Sequence, residues 1–359
     1  MRISTVEATP NIAVVKYWGK RDDKIILPME GSQSFTIDSL KTRTTVMFSD
    51  RFKEDEFWLN GNKVDLTEKE VAERMQQLDV IRKKAGLALK AKIVSINCFP
   101  TAAGFASSAS GLAALACAAS KAAGLDLDSK ELSILARLGS GSACRSVVGG
   151  FVEWHKGTRA DGSDSYAETI YPASHWPELR LVSAVLAEGK KKVSSRAGMK
   201  QTIATSVLYP ARLAYLPKLL KEMREAVGKK DFAKFAELTM RESNNMHATM
   251  LDTWPPIIYL NDLSKQVIYA VHELNANGMK AAYTFDAGPN AHVYTLENHV
   301  PEVKKMLDGI EGVQKIIVSK VGEGPMYLEN PKEHLIDPVT GSVREHYYDE
   351  SKNKIIVKA

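Results

Sequence analysis

The sequence predicts an α+β chain, and three stretches carry that prediction. Residues 92–97 alternate as a strand does, a glycine-containing loop follows, and residues 112–123 are alanine-rich without proline, so the order is strand, loop, helix. Residues 210–277 are helical in pattern, in three segments with breaks near Gly228 and at Thr253 to Pro256. Residues 281–296 then hold two strand-like runs about a tight turn, a helix starts at Pro301, and another strand is expected over 315–320. With 359 residues, 44% of them hydrophobic, the chain is long enough for one large domain or two of ordinary size.

Taken in order, residues 2–8 alternate and stop before Pro10, and a buried strand from Asn11 runs into Lys16-Tyr17-Trp18-Gly19-Lys20. Lys16 follows a span that is apolar apart from Asn11. Its ammonium either snorkels to solvent or meets an anionic ligand, because burial alone would leave it unpaired. Strands are expected over 41–49 and 57–64, the second interrupted by Asn60-Gly61, a two-residue hairpin turn. Residues 67–86 read as a surface helix ending near Gly86.

The loop Pro100-Thr-Ala-Ala-Gly104-Phe-Ala-Ser107-Ser108-Ala-Ser-Gly111 opens the alanine-rich helix. The first N–H groups of a helix lack intrahelical partners and its dipole is positive there, which makes a site for phosphate. Gly104 lets the backbone approach an anion, and Ser107 and Ser108 can add hydroxyls to phosphate oxygens or to a magnesium ion. An ordinary helix capped by serine would read the same way. Asp128-Ser-Lys-Glu131 is a capping box starting a helix through Leu138. Between that helix and the next strand, residues 139–154 hold Ser140, Ser142, Ser146, four glycines and Arg145. This supplies close backbone approach, hydroxyl donors and a guanidinium fork for a carboxylate or phosphate.

Residues 156–178 are polar and expected as loop, and 179–188 as strand. Ser194, Ser195 and Arg196 open the next helix with hydroxyls and a cation. His247, inside the helical span, reads as a structural histidine. Asp286 ends the first of two strand-like runs, where an aspartate either starts an Asx-turn or serves chemistry. The tail beyond Pro325 is polar and expected to wrap the surface.

A charged fraction of 25% is that of a soluble globular protein, and a net charge of +5 with lysines and arginines scattered singles out no ligand class. Without an arginine-rich tract or an aromatic-interleaved basic stripe it makes no case for nucleic acid, so no nucleic-acid partner is expected. Residues 1–20 lack a signal-peptide pattern and no apolar run approaches membrane-spanning length. Cys98, Cys117 and Cys144 are odd in number and lack metal-ligand spacing, so reduced thiols, a cytoplasmic location and no protein-built metal site are expected.

Together these stretches resemble the GHMP kinase superfamily and, within it, the mevalonate diphosphate decarboxylases. The motifs are residues 11–20, 100–111, 139–146, Ser-Arg-Ala-Gly-Met at 195–199, Met-His-Ala-Thr at 246–249 and Thr-Phe-Asp-Ala-Gly-Pro-Asn at 284–290. The resemblance implies a two-domain fold: a ribosomal-protein-S5-like N-terminal domain over 1–178, and a ferredoxin-like C-terminal domain with its polar tail over 179–359. It implies ATP and magnesium as cofactors, a phosphorylated mevalonate as substrate, and the homodimer common in the family. The implied reaction is phosphorylation of the 3-hydroxyl of mevalonate 5-diphosphate, then decarboxylation to isopentenyl diphosphate. Asp286, Arg145 and Lys16 match the family's catalytic positions. Tyr17, Lys20, Ser142, Ser195 and Arg196 match positions facing the substrate phosphates, and Gly104, Ser107 and Ser108 match the ATP loop. Glu30, Gln33, Gln76, Cys98 and Phe105 depart from residues common in the family. Such departures are where a change of substrate to the 5-phosphate, or to the 3,5-bisphosphate without ATP, would be written. A retired member that only binds metabolite is the alternative from another class, and the retained Asp286 argues against it.

Overall fold

A computed structural model describes residues 2–98, 107–186 and 192–358. The chain opens with β1 (Ile3–Ala8) and β2 (Asn11–Val15), then a short pair, β3 (Lys20–Asp22) with β4 (Leu27–Pro28), then β5 (Ser32–Thr36) and β6 (Thr42–Ser49). β7 (Glu56–Leu59) and β8 (Asn62–Val64) form the expected hairpin, its turn residues Asn60 and Gly61 at φ of +50° and +80°. α1 (Lys69–Ala85) ends on Gly86, which takes the left-handed conformation that closes a helix. After β9 (Lys90–Asn97) come α2 (Ser107–Ala122) and α3 (Ser129–Gly139), the latter with its capping box formed between Asp128 and Glu131.

A 3₁₀ turn (Gly141–Arg145) leads to β10 (Phe151–Trp154) and β11 (Ala167–Tyr171). β11 lies within the span expected as loop. It is defined by pairing with β10, a long-range partner that local sequence does not reveal.

The second half begins with β12 (Leu179–Val185), followed by α4 (Ser195–Thr205), α5 (Tyr209–Lys229), α6 (Phe232–Leu251) and α7 (Asp262–Leu274). β13 (Ala281–Phe285), β14 (Ala291–Leu296), α8 (Val300–Asp308) and β15 (Lys315–Lys320) complete it, and the tail adds β16 (Met326–Leu328), β17 (His346–Asp349) and β18 (Lys354–Val357). The strands assemble into three main sheets, ordered β16–β1–β6–β9–β7–β8, β11–β10–β5–β2 and β13–β14–β12–β15.

In the six-stranded sheet both faces of the inner strands β1, β6 and β9 are largely covered. Along β6, Val46 and Phe48 pack with the α1–α3 side, while Met47 packs on the opposite face with Leu335, Ile336 and Ile355 of the tail. The tail therefore does more than wrap the surface: it supplies an edge strand antiparallel to β1 and an apolar cover for the first sheet. Its few apolar residues are dispersed among polar ones, so no periodicity announces them.

The two halves share one core. Ile12, Val14 and Val15 of β2 pack with Phe35 and Phe151, and this group is continuous with Leu181, Phe235 and Tyr294 of the second half. The Phe35 ring lies 4.7 Å from Phe151 and 5.2 Å from Tyr294, both edge-on, and the Tyr294 hydroxyl donates to the Ile12 carbonyl at 3.1 Å.

Two predictions follow from this packing. Leu335 is fully buried, so Leu335→Ala should destabilise by about 2–5 kcal/mol, the usual cost of a core leucine truncation. Denaturant unfolding reads this directly, and a surface tail would give a change within about 0.5 kcal/mol. His292 is buried and His247 half-buried, and desolvation of the rings holds both imidazoles down to about 4. An unfolded chain protonates them near 6.5, so stability should be fully present above that pH and decline as pH falls toward 4. Urea midpoints across this range should drop, and His292→Gln should flatten the drop.

Candidate active site

Where the two halves meet, a cavity of about 460 Å³ opens between the end of β2, the start of α2, the 3₁₀ turn, the start of α4 and the β13–β14 turn. The sequence places different chemistry at each corner. The segment from the end of β2 into the start of β3 delivers Lys16, Tyr17, Trp18 and Lys20, the 3₁₀ turn delivers Ser142 and Arg145, and α4 delivers Ser195 and Arg196 in its first turn. Asp286 comes from the β13–β14 turn and Ser108 from α2.

Lys16 Nζ donates to Asp286 Oδ1 at 2.7 Å. The lysine side chain is 2% exposed and the aspartate 31%, so the carboxylate keeps a face toward the cavity while the ammonium is enclosed. Burial lowers the Lys16 pKa from its ordinary value, and the Asp286 charge and hydrogen bond oppose that shift. The turn bearing Asp286 is pinned on its far side, where Asn290 Oδ1 accepts from the Leu186 N–H at 2.7 Å and the Ser264 hydroxyl donates to the Pro289 carbonyl at 2.8 Å.

Arg145 is also enclosed, yet its direct partners are neutral. Nε donates to Asn11 Oδ1 at 2.9 Å and Nη1 to Ser32 Oγ at 2.7 Å. Nη2 makes no hydrogen bond to a described residue. Burial works against this charge, and among the described residues no carboxylate forms an ion pair with it. Asn11 is itself oriented by donating to the Ser142 carbonyl and the Ser146 hydroxyl.

The other cations are held more loosely or at the rim. Lys20 pairs with Asp23 at 3.1 Å, and Arg196 pairs with Glu73 at 2.7 Å while donating to the Gly139 carbonyl. The Tyr17 ring packs 4.7 Å from Trp154 and against Gly141, where an added Cβ would come within 2.7 Å of the ring. Its hydroxyl is buried without a hydrogen-bond partner among the described residues, and burial raises its pKa, so it stays a protonated donor. Among the described residues, Lys16, Lys20, Arg74, Arg145 and Arg196 face Glu70 and Asp286, a surplus of three positive charges around the cavity.

Nine of the residues singled out from sequence thus line one cavity: Lys16, Tyr17, Lys20, Ser108, Ser142, Arg145, Ser195, Arg196 and Asp286. Ser107 is the first residue of α2, and Gly104, like Phe105, lies outside the described residues. The sequence reading left out Asn11, Glu70 and Arg74, which also line the cavity. Asn11 carried a signal, a polar residue in an otherwise apolar strand. Glu70 and Arg74 carried none, since charges on an amphipathic helix normally meet only water.

The departing residues point elsewhere. The Glu30 carboxylate takes Lys156 at 2.8 Å and the Gly31 N–H, Gln33 donates to Glu153, and Gln76 donates to the Leu138 carbonyl. Cys98 lines a separate cavity with Glu7, Lys41 and Arg43.

Residues 8–167 match the profile of a diphosphomevalonate decarboxylase-like N-terminal domain, and residues 181–311 that of a mevalonate 5-diphosphate decarboxylase C-terminal domain. The diphosphomevalonate decarboxylase of Rattus norvegicus is 42% identical, over 93% of this chain and 95% of its own. The crystal structure of mevalonate diphosphate decarboxylase from Staphylococcus aureus superposes with a TM-score of 0.85 at 39% identity, covering 91% of this chain and 98% of that one. A relative solved in complex with MVAPP, AMPPCP and magnesium gives a TM-score of 0.84 at 40% identity, covering 91% and 99%. The fold is the GHMP kinase-like one that the motifs implied. With both halves matched and identity near two-fifths along nearly the whole length, the chain belongs to the mevalonate diphosphate decarboxylase family of carboxy-lyases.

Proposed function

We propose that the protein catalyses ATP-dependent decarboxylation of mevalonate 5-diphosphate to isopentenyl diphosphate. The observation that carries this reading is Arg145, an enclosed guanidinium whose hydrogen-bond partners among the described residues are neutral, set beside the Lys16–Asp286 pair in a cavity with surplus positive charge. A buried cation in that state is costly until an anion meets it. The substrate brings a carboxylate for Arg145 and a diphosphate for Tyr17, Lys20, Ser142, Ser195 and Arg196.

Among the described residues lining the cavity, Asp286 is the carboxylate paired with the Lys16 ammonium. It can accept the proton of the 3-hydroxyl and, once that proton has passed on to solvent, its restored negative charge opposes the positive charge that develops at C3 when the leaving group departs. Lys16 holds Asp286 in place and offers its ammonium to negative charge developing on the oxygen. Arg145 holds the carboxylate that is lost as carbon dioxide, and its planar fork fixes the angle at which the carbon–carbon bond breaks.

ATP, when bound, supplies the phosphoryl group that makes the tertiary hydroxyl a leaving group. The residues present fit it: α2 begins at the cavity with Ser108 on its wall, where the first turn of a helix favours phosphate. Among the described residues no group of three or more acidic, histidine or cysteine side chains is built for an ion. Magnesium would therefore be held largely through phosphate oxygens, with a serine hydroxyl. The relative bound to MVAPP, AMPPCP and magnesium supports this assignment.

The deciding experiment offers mevalonate 5-phosphate, 5-diphosphate and 3,5-bisphosphate, each with and without ATP, and quantifies ADP and carbon dioxide. Turnover of the 5-diphosphate with one ADP per carbon dioxide is expected. Carbon dioxide from the 3,5-bisphosphate without nucleotide, with none from the 5-diphosphate, would place the protein in another branch of the family.

Asp286→Asn should lower kcat by about 10²–10⁴, the usual worth of a positioned acid–base or charge-opposing group, while substrate binding by calorimetry persists. A kcat within a few-fold of wild type would reduce Asp286 to a turn residue. Arg145→Lys should be nearly as damaging to kcat/KM as Arg145→Gln, since an ammonium cannot reproduce a fork on a carboxylate. A near-wild-type lysine variant would leave Arg145 only a diffuse charge.

A further inference from the structure

β2 is the edge of its sheet, and the peptide groups of Lys16 lie just beyond its last paired residue, Val15. Their partners come instead from the second half. The Lys16 N–H donates to Glu242 Oε1 at 2.9 Å, and the Lys16 carbonyl accepts from Arg212 Nη2 at 3.1 Å. Glu242 and Arg212 are themselves paired at 2.6 Å, with both side chains fully buried, and Arg212 also donates to Asn245 Oδ1. The next residue of α6, Ser243, accepts through its hydroxyl from the Phe285 N–H at 3.0 Å, immediately before Asp286.

Two consecutive residues of one helix therefore grip the backbone on both sides of the Lys16–Asp286 contact. Neither Glu242, Ser243 nor Arg212 lines the cavity. A fully buried ion pair is poor value for stability alone, because desolvation consumes most of its attraction. Here the pair's further hydrogen bonds go to the backbone N–H and carbonyl of Lys16 and to Asn245.

We infer that Glu242 and Ser243 of α6, with Arg212 bracing the first, are positioning residues that set the Lys16–Asp286 geometry across the seam between the halves. α6 is the rigid element that carries both settings, so the two side chains keep one spacing although their strands belong to different sheets. The inference deepens the proposed function and rests on it for the meaning of kcat, but the geometry it asserts is measurable without turnover.

The test uses the full chain with Glu242→Gln and Ser243→Ala. Glu242→Gln leaves Arg212 buried without its charge partner and risks the fold. Ser243→Ala removes one hydroxyl only, so it keeps the question open to measurement. In folded protein, kcat should fall about 10–100-fold, in keeping with the cost of displacing a reacting group by about 1 Å, while KM and the calorimetric Kd for mevalonate 5-diphosphate stay within about threefold. Acetic anhydride labelling of Lys16, read by mass spectrometry against Lys20 as internal reference, should rise at least about threefold as the pair loosens. Ser243→Ala with wild-type kcat and unchanged Lys16 labelling overturns the inference, as does a loss of kcat that only follows loss of binding. A wild-type protein that releases no carbon dioxide from any mevalonate phosphate overturns the proposed reaction instead. The labelling ratio then still supports or refutes the positioning role.

Discussion

A 2.7 Å ion pair between Lys16 and Asp286 joins the end of an edge strand in one sheet to a turn in another, and the surrounding structure serves to hold that contact. Two flexible charged side chains on a surface would gain little from meeting, because water and rotamer freedom compete. Here the lysine is enclosed, its peptide is gripped by Glu242 and Arg212, and the aspartate's turn is tied to Leu186 and Ser264. The entropic cost of bringing the pair together is met by the shared core rather than by the pair itself.

That core also explains the electrostatic asymmetry of the cavity. Phe35, Phe151, Phe235 and Tyr294 lock the sheets together beneath it, so a charge left short of partners above them cannot relax by moving the backbone. Arg145 is such a charge. Its contacts to Asn11 and Ser32 orient the guanidinium without neutralising it, which leaves the attraction for an incoming anion. The rim cations Lys20 and Arg196 are different, since each already has a carboxylate with which a ligand must compete.

The far face of the six-stranded sheet shows the same economy of cover. β6 is buried along its whole length because α2 lies across one face and the tail covers the other. An open face at that position would expose Met47, Val94 and Ile96, an apolar patch of the kind that seeks a partner. Leu335, Ile336 and Ile355 close it from the same chain.

The residues themselves determined whatever depends on nearest neighbours. The Asp128–Glu131 capping box, the Asn60-Gly61 turn, the left-handed stop at Gly86 and the alternation of β1 are set within a few positions, where propensity and hydrogen-bond geometry act directly. The chemical types at Lys16, Arg145, Arg196 and Asp286 were legible for the same reason: each interrupts a local pattern and demands an explanation. Tertiary structure alone decided which of them meet. Lys16 and Asp286 are 270 positions apart, and Arg145 is given its orientation by Asn11 and Ser32, more than 110 positions away. Glu30 stands out in sequence only as a departure from the family pattern until the fold pairs it with Lys156, and Glu70 and Arg74 read as solvated charges until α1 is set against the cavity. β11 and the tail were illegible because a strand or a cover is defined by the surface it pairs with, and that surface is assembled from residues far away in the chain.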